Sequence, residues 1–165
     1  IFTNSTPIIL DDEIRFYYGA YSMGATSATD GEQLSGIGMA AIPRDRFAGI
    51  CPVAVSDQAT LKTPLEHIGQ VTLKALELSQ CKGMTLNADA RGGEIRVELL
   101  TADGYRMEGF TRDDAVPITG DNLRHPVAWK THTLSELTEA RYLVRIHLDR
   151  AEVFAMEIQR QGEVP

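Results

Sequence analysis

The chain has 165 residues, 43% of them hydrophobic and 24% charged, a length and balance that fit a soluble domain with a real core and argue against disorder or a membrane span. Sixteen Lys and Arg against 23 Asp and Glu leave a net charge of -7, which repels a phosphate backbone and excludes nucleic acid and an anionic membrane surface as partners.

The first dozen residues read as an irregular lead-in that ends on Asp11, Asp12 and Glu13, with Asn4-Ser5-Thr6 matching a glycosylation sequon. Ile14, Phe16 and Tyr18 then alternate with Arg15 and Tyr17, the period of a strand, which puts Tyr17 on the face opposite Phe16 and Tyr18. Residues 22–35 are rich in Gly, Ser, Thr and Ala and too long for an ordinary hairpin connection, so a long loop is expected. Ile37, Met39 and Ala41 alternate in a returning strand that stops at Pro43, and residues 46–51 predict another short strand before Pro52. Thr63-Pro64-Leu65-Glu66 carries a helix-start signal that Gly69 cuts short. Val71, Leu73 and Ala75 alternate and then shift phase at Leu76 and Leu78, the mark of a strand with a bulge.

Met84, Leu86 and Ala88 form the next run, and Arg91-Gly92-Gly93 reads as a turn into a second arm. In that arm Ile95, Val97 and Leu99 alternate against Arg96 and Glu98, which places both charges in water. Ala102-Asp103-Gly104 then supplies the positive φ of a tight hairpin turn. Residues 111–122 read as a polar connection, Val127 and Trp129 as the start of a strand, and residues 134–139 as one helical turn. Tyr142, Val144, Ile146 and Leu148 alternate strictly, followed by a last strand through Val153 and Ala155. Nine or ten short strands at regular spacing predict an all-β fold, an antiparallel β-sandwich or jelly roll of concanavalin-like type.

Chemical signatures are sparse. No GxSxG elbow, phosphate-cradling GxxxxGK or dinucleotide GxGxxG is present, and His67, His125, His132 and His147 lack zinc spacing. Asn87-x-Asp89-x-Arg91-Gly92 with Glu98 has the spacing of a calcium loop, but Arg91 stands where an oxygen ligand belongs. No cofactor is expected, with one alternative: a structural calcium that staples sandwich loops through Asp103, Asp113, Asp114 or Asp121 and backbone carbonyls. Flat rings that could lie on the C–H face of a sugar are Tyr17, Tyr21, Tyr105 and Trp129, although Trp129 also fits a core position. Cys51 and Cys81 read as two buried free thiols, or as one disulfide if the chain is exported. Starting at Ile1 implies a removed leader or a longer parent chain, and the first of these would place the protein outside the cell or in the periplasm.

Several phrases taken together carry a resemblance. Asp11-Asp12-Glu13-Ile14-x-Phe16-Tyr17-Tyr18-Gly19 and Gly36-Ile37-Gly38-Met39-Ala40 resemble the closing strands of the five-bladed propeller in bacterial proteins similar to glycoside hydrolase families 32 and 43. Arg44-Asp45-Arg46-Phe47 looks like the junction that follows. Leu86 to Ala90, Gly93 to Leu99, Asp103-Gly104, Gly109-Phe110-Thr111, Pro117-Ile118-x-Gly120-Asp121, Val127-x-Trp129 and the strands from Arg145 to Glu157 are similar to the appended β-sandwich. The resemblance implies a propeller end over residues 1–43 and a sandwich over residues 44–165. It implies a non-catalytic accessory domain, structural or weakly carbohydrate-binding, because the catalytic carboxylates of such enzymes lie in earlier blades. Its partners would be an oligo- or polysaccharide, and either the missing propeller or a second copy of the chain. The rival expectations are a small carbohydrate-active enzyme using acidic residues and a pure oligomerisation domain.

Overall fold

The computed structural model describes residues 2–3, 6–22, 34–53, 67–138 and 141–160. The chain is all-β with antiparallel sheets, as its alternation predicts, in two compact units, Ile1–Phe47 and Ala48–Pro165, of which the second has the curled sheet of a sandwich. Among the described residues no helix is long and apolar enough to cross a membrane.

The first unit is a four-stranded sheet of β1 (Phe2–Thr3), β2 (Ile8–Ile9), β3 (Glu13–Tyr21) and β4 (Ser35–Pro43). β3 and β4 pair without interruption from Glu13 opposite Pro43 to Tyr21 opposite Ser35, while β1 and β2 share the other edge of β3. Arg44 closes the far end, its backbone N–H donating to Asp12 and its guanidinium Nη1 to the Leu10 carbonyl at 2.6 Å. Phe16 and Phe47 meet edge to face at 6.2 Å. Ile14 is the one buried side chain among the described residues of this unit.

The second unit is a six-stranded sheet of β5 (Ile68–Thr72), β6 (Leu76–Glu77), β7 (Cys81–Thr101), β8 (Ile118–Pro126), β9 (Arg141–Asp149) and β10 (Glu152–Arg160). β7 organises it. Its first half lies between β10 and β8, and its second half pairs with β9, whose far edge takes β5 and then β6. The change of partners curls the sheet over on itself, so both layers of the sandwich share one strand. The core-facing positions change phase at the same place, from Met84, Leu86, Ala88 and Ala90 to Ile95, Val97 and Leu99, where the pairing with β8 also slips register. One residue out of phase turns the inner face through the bend, as a bulge does.

The bend corrects the expected turn at Arg91-Gly92-Gly93, because the chain runs through it as one strand of 21 residues. Glycine is required there: a Cβ on Gly93 would collide with the carbonyl oxygen of Asp149, where the β9–β10 turn crosses over. The core closes with Tyr142, Val144, Ile146 and Leu148 of β9, Val153 of β10, and Phe110, Trp129 and Leu134 from the connections. Each fully buried large side chain of this kind contributes about 1.5–3 kcal/mol.

Other segments differ in detail. The hairpin turn forms as expected, with Gly104 at φ 89° and its N–H donating to the Thr101 carbonyl, but the return makes only an isolated bridge from Arg106 to Leu100. Residues 46–51 form no strand, only a bridge from Ile50 to Val153. The strand expected at Val127 and Trp129 is reduced to a bridge from Trp129 to Ala115, and the strand of this region, β8, lies earlier and overlaps the stretch read as a polar connection. The bulged run near Val71 is two short strands, both paired to β9. A single 3-10 turn spans Leu134–Glu136, and the Thr133 N–H donates to Glu136 Oε1 at 2.8 Å. The helix-start signal at Thr63, most of the long loop before β4, and Asn4 and Ser5 of the sequon lie outside the described residues.

Candidate functional site

The second half of β7 and its partner β9 present alternate side chains away from the core, and register pairs Glu98 with Arg145 and Arg96 with His147. β5 extends both rows, with Thr72 opposite Arg145 and Gln70 opposite His147. The expected surface row is instead covered. Glu98 and Leu100 have no exposed area, because residues 102–117 return along β7: the Leu99 N–H donates to Phe110, Arg106 bridges Leu100, and Arg96 Nη1 reaches the Ala115 carbonyl at 3.4 Å. Placing Glu98 in water is therefore corrected, and the cause is a covering connection that alternation within the strand cannot reveal.

A buried carboxylate is costly unless it is compensated, and Glu98 is compensated from three sides. His147 Nε2 lies 3.0 Å from Oε2, a hydrogen bond between the ring and the carboxyl group. Arg145 Nη1 stands 3.6 Å from the same oxygen while its Nε donates to Thr72 Oγ1 at 2.9 Å. Arg106 Nε comes within 3.1 Å of Oε1 as an ion pair without hydrogen-bond alignment, which leaves Oε1 without a hydrogen bond. Next to this cluster Arg96 Nε donates to Glu94 at 2.6 Å, and that bond pushes the guanidinium further into its charged form. Such an arrangement locks charge in place and ties the connection to the sheet.

The ring candidates separate. Tyr17 and Tyr21 lie on one face of β3, 39% and 46% exposed, with Gly19 between them and Met39 and Ile37 across on β4. Tyr105 is exposed beside the hairpin turn of the second unit. Of its two readings Trp129 takes the core position and leaves the list of sugar-facing rings: it is 6% exposed, packs edge to face on Phe110 at 5.2 Å, and donates its indole N–H to the Val97 carbonyl at 3.0 Å.

The four aspartates are not brought together. Asp103 occupies the hairpin turn, and Asp121 sits on β8 within 3.6 Å of Arg91. The Asp113 carbonyl accepts from Lys130 Nζ at 2.6 Å. Asp114 caps a turn, accepting from the Thr111 hydroxyl at 2.6 Å and the Thr111 N–H at 3.0 Å; the hydroxyl bond is the larger cause of a carboxyl held below its usual range. Among the described residues no three His, Cys, Asp or Glu side chains are grouped to hold a metal, so these four do not form a site with one another. The Asn87 and Asp89 positions lie inside β7, where Asp89 binds Arg91 through Nε, Nη2 and the backbone N–H. Both cysteines are free; Cys81 is buried, which pushes its thiol up, and Cys51 is exposed, against the expectation that both are buried.

The Glu98 cluster escaped the sequence reading, although one signal was present. Leu100 shares the phase of Arg96 and Glu98, and a leucine on a polar row marks a face that something covers. No family model, no curated protein and no solved structure matches the chain.

Proposed function

We propose that this chain is a non-catalytic accessory β-sandwich of a glycoside-hydrolase-like protein, structural or weakly carbohydrate-binding. The observation that carries it is the fate of Glu98, the one buried carboxylate among the described residues, which lies beside the cations Arg106 and Arg145 and hydrogen-bonds His147. Carboxylates that work on a glycosidic bond must be paired across a substrate with separated protonation states. Here the acids around the sheet serve cations instead, Glu94 with Arg96 and Asp89 with Arg91. The sequence resemblance alone supplies the parent class.

The test is to incubate the whole chain with a panel of neutral oligosaccharides while following both binding and cleavage. Weak saturable binding without cleavage is the expected result. Cleavage that an acidic substitution abolishes would overturn the reading in favour of a small enzyme.

A second reading, an assembly domain, is favoured by β4 alone. Its residues from Ser35 to Ile42 carry no charge, and Ile37 and Met39 are exposed on an edge with one partner strand among the described residues. Light scattering across concentration separates the two: a constant monomer mass removes the second reading.

A further inference from the structure

At the bend of β7, the β9–β10 turn and the segments around Pro52 and His67 enclose an open cleft of about 550 Å³. That volume lies within the range of small-molecule sites. Its charges come in neighbours of opposite sign. Asp89 holds the Arg91 Nε at 2.9 Å with Asp121 within 3.6 Å of its Nη2, and Asp149 holds the Arg150 Nε at 2.9 Å. The two arginine side chains are 68% and 60% exposed, so guanidinium edges that those carboxylates leave unused stay open to solvent. Glu152 lies against Gly49, where a Cβ would displace its carboxylate.

The backbone that presents these groups is fixed in an unusual conformation. His67 at φ 60° and Arg150 at φ 46° both occupy the left-handed region, and the Arg150 N–H donates to the His67 carbonyl at 2.8 Å, tying two walls of the cleft together. Non-glycine residues hold that conformation only where the surroundings enforce it, and such positions cluster at ligand sites. Pro52 and Ala151 add apolar surface to the lining.

A molecule suited to this lining both donates and accepts hydrogen bonds, carries no net charge for either sign to repel, and offers C–H surface. A sugar ring meets all three conditions: hydroxyls donate to Glu152 and accept from Arg91 and Arg150, the charge-assisted class of hydrogen bond, while Asp89 holds Arg91 in place. We propose that the cleft at the β7 bend, lined by His67, Asp89, Arg91, Arg150 and Glu152, is the saccharide-binding site of this chain. The assignment rests on the carbohydrate-binding reading above and moves the contact surface away from the exposed tyrosines.

The experiment is a backbone amide NMR titration of the whole chain with neutral trisaccharides of glucose, xylose, arabinose and fructose. It is repeated on Arg150→Gln, Glu152→Gln, and the double variant Tyr17→Ala/Tyr105→Ala. At least one sugar should saturate, with shifts concentrated at residues 89–92 and 149–152. Each cleft variant should weaken binding roughly tenfold, the loss of one charge-assisted hydrogen bond, while the tyrosine variant binds as the parent does. Two separate cleft variants, each with its own amide spectrum as a check on folding, keep the result readable if one of them misfolds. Unchanged binding in a folded cleft variant, or shifts centred on Tyr17, Tyr21 or Tyr105, overturns the cleft and leaves the carbohydrate reading standing. No saturable sugar overturns the carbohydrate reading and the cleft with it.

Discussion

β4 and β7 are both long antiparallel strands with alternating apolar side chains, yet Ile37 and Met39 of β4 are 87% and 51% exposed while Ile95, Val97 and Leu99 of β7 are buried. The difference lies in their neighbours. β7 has strand partners along both edges of its first half, and in its second half β9 on one edge and the bridged return of residues 105–110 on the other, with cover over both faces. β4 has β3 alone among the described residues, and Ile37 faces Gly19 across the pair, which offers no side chain to pack on. Alternation specifies a strand; burial depends on what the rest of the chain lays against it.

That contrast makes predictions of decreasing size. Trp129→Ala should cost about 3–5 kcal/mol, because it removes a buried ring and leaves the Val97 carbonyl without its donor. A urea midpoint shift checks it, and a small shift would mean that the connection carrying Trp129 is not part of the core. Glu98→Gln should cost about 3 kcal/mol by leaving the part-buried Arg145 and His147 uncompensated. Stability unchanged by this variant would show that the cluster is solvated and not locked.

Asp114 gives a pH-dependent contrast. Its carboxyl is held below the usual range by Thr111, so its contribution is present above the unfolded-state value and is lost as pH falls through the lower folded-state value. The stability gap between the parent and Asp114→Asn should therefore be full at neutral pH and close on acidification, as thermal midpoints across pH will record. Ile37→Ala should be the smallest effect, within about 0.5 kcal/mol, as expected of a side chain that touches water on nearly every side. A large loss would reveal cover over β4.

Much of the fold was legible because period-two patterns marked β3, β4, β9, β10 and both halves of β7. What the pattern could not give was continuity. Gly92 and Gly93 announce a turn equally well whether the chain reverses or only bends, and the deciding contact is the Asp149 carbonyl, 56 positions from Gly93 along the chain. The site was less legible for the same reason. Glu98, Arg106, Arg145 and His147 meet only through strand register and a returning connection, and Trp129 is buried by Phe110 and not by its immediate neighbours. Tyr17 was placed correctly at the surface because a single strand's alternation settles its face, whereas the four aspartates were grouped by type and not by position.

Hydrogen exchange on the whole chain, resolved by residue, tests the comparison most directly. Amides of β7 from Leu86 to Leu99 should exchange only through global unfolding, while β4 amides that do not bond to β3 should exchange orders of magnitude faster. Protection of the outer β4 amides equal to that of β7 would contradict the account, since it requires cover over a strand described here as open on one edge.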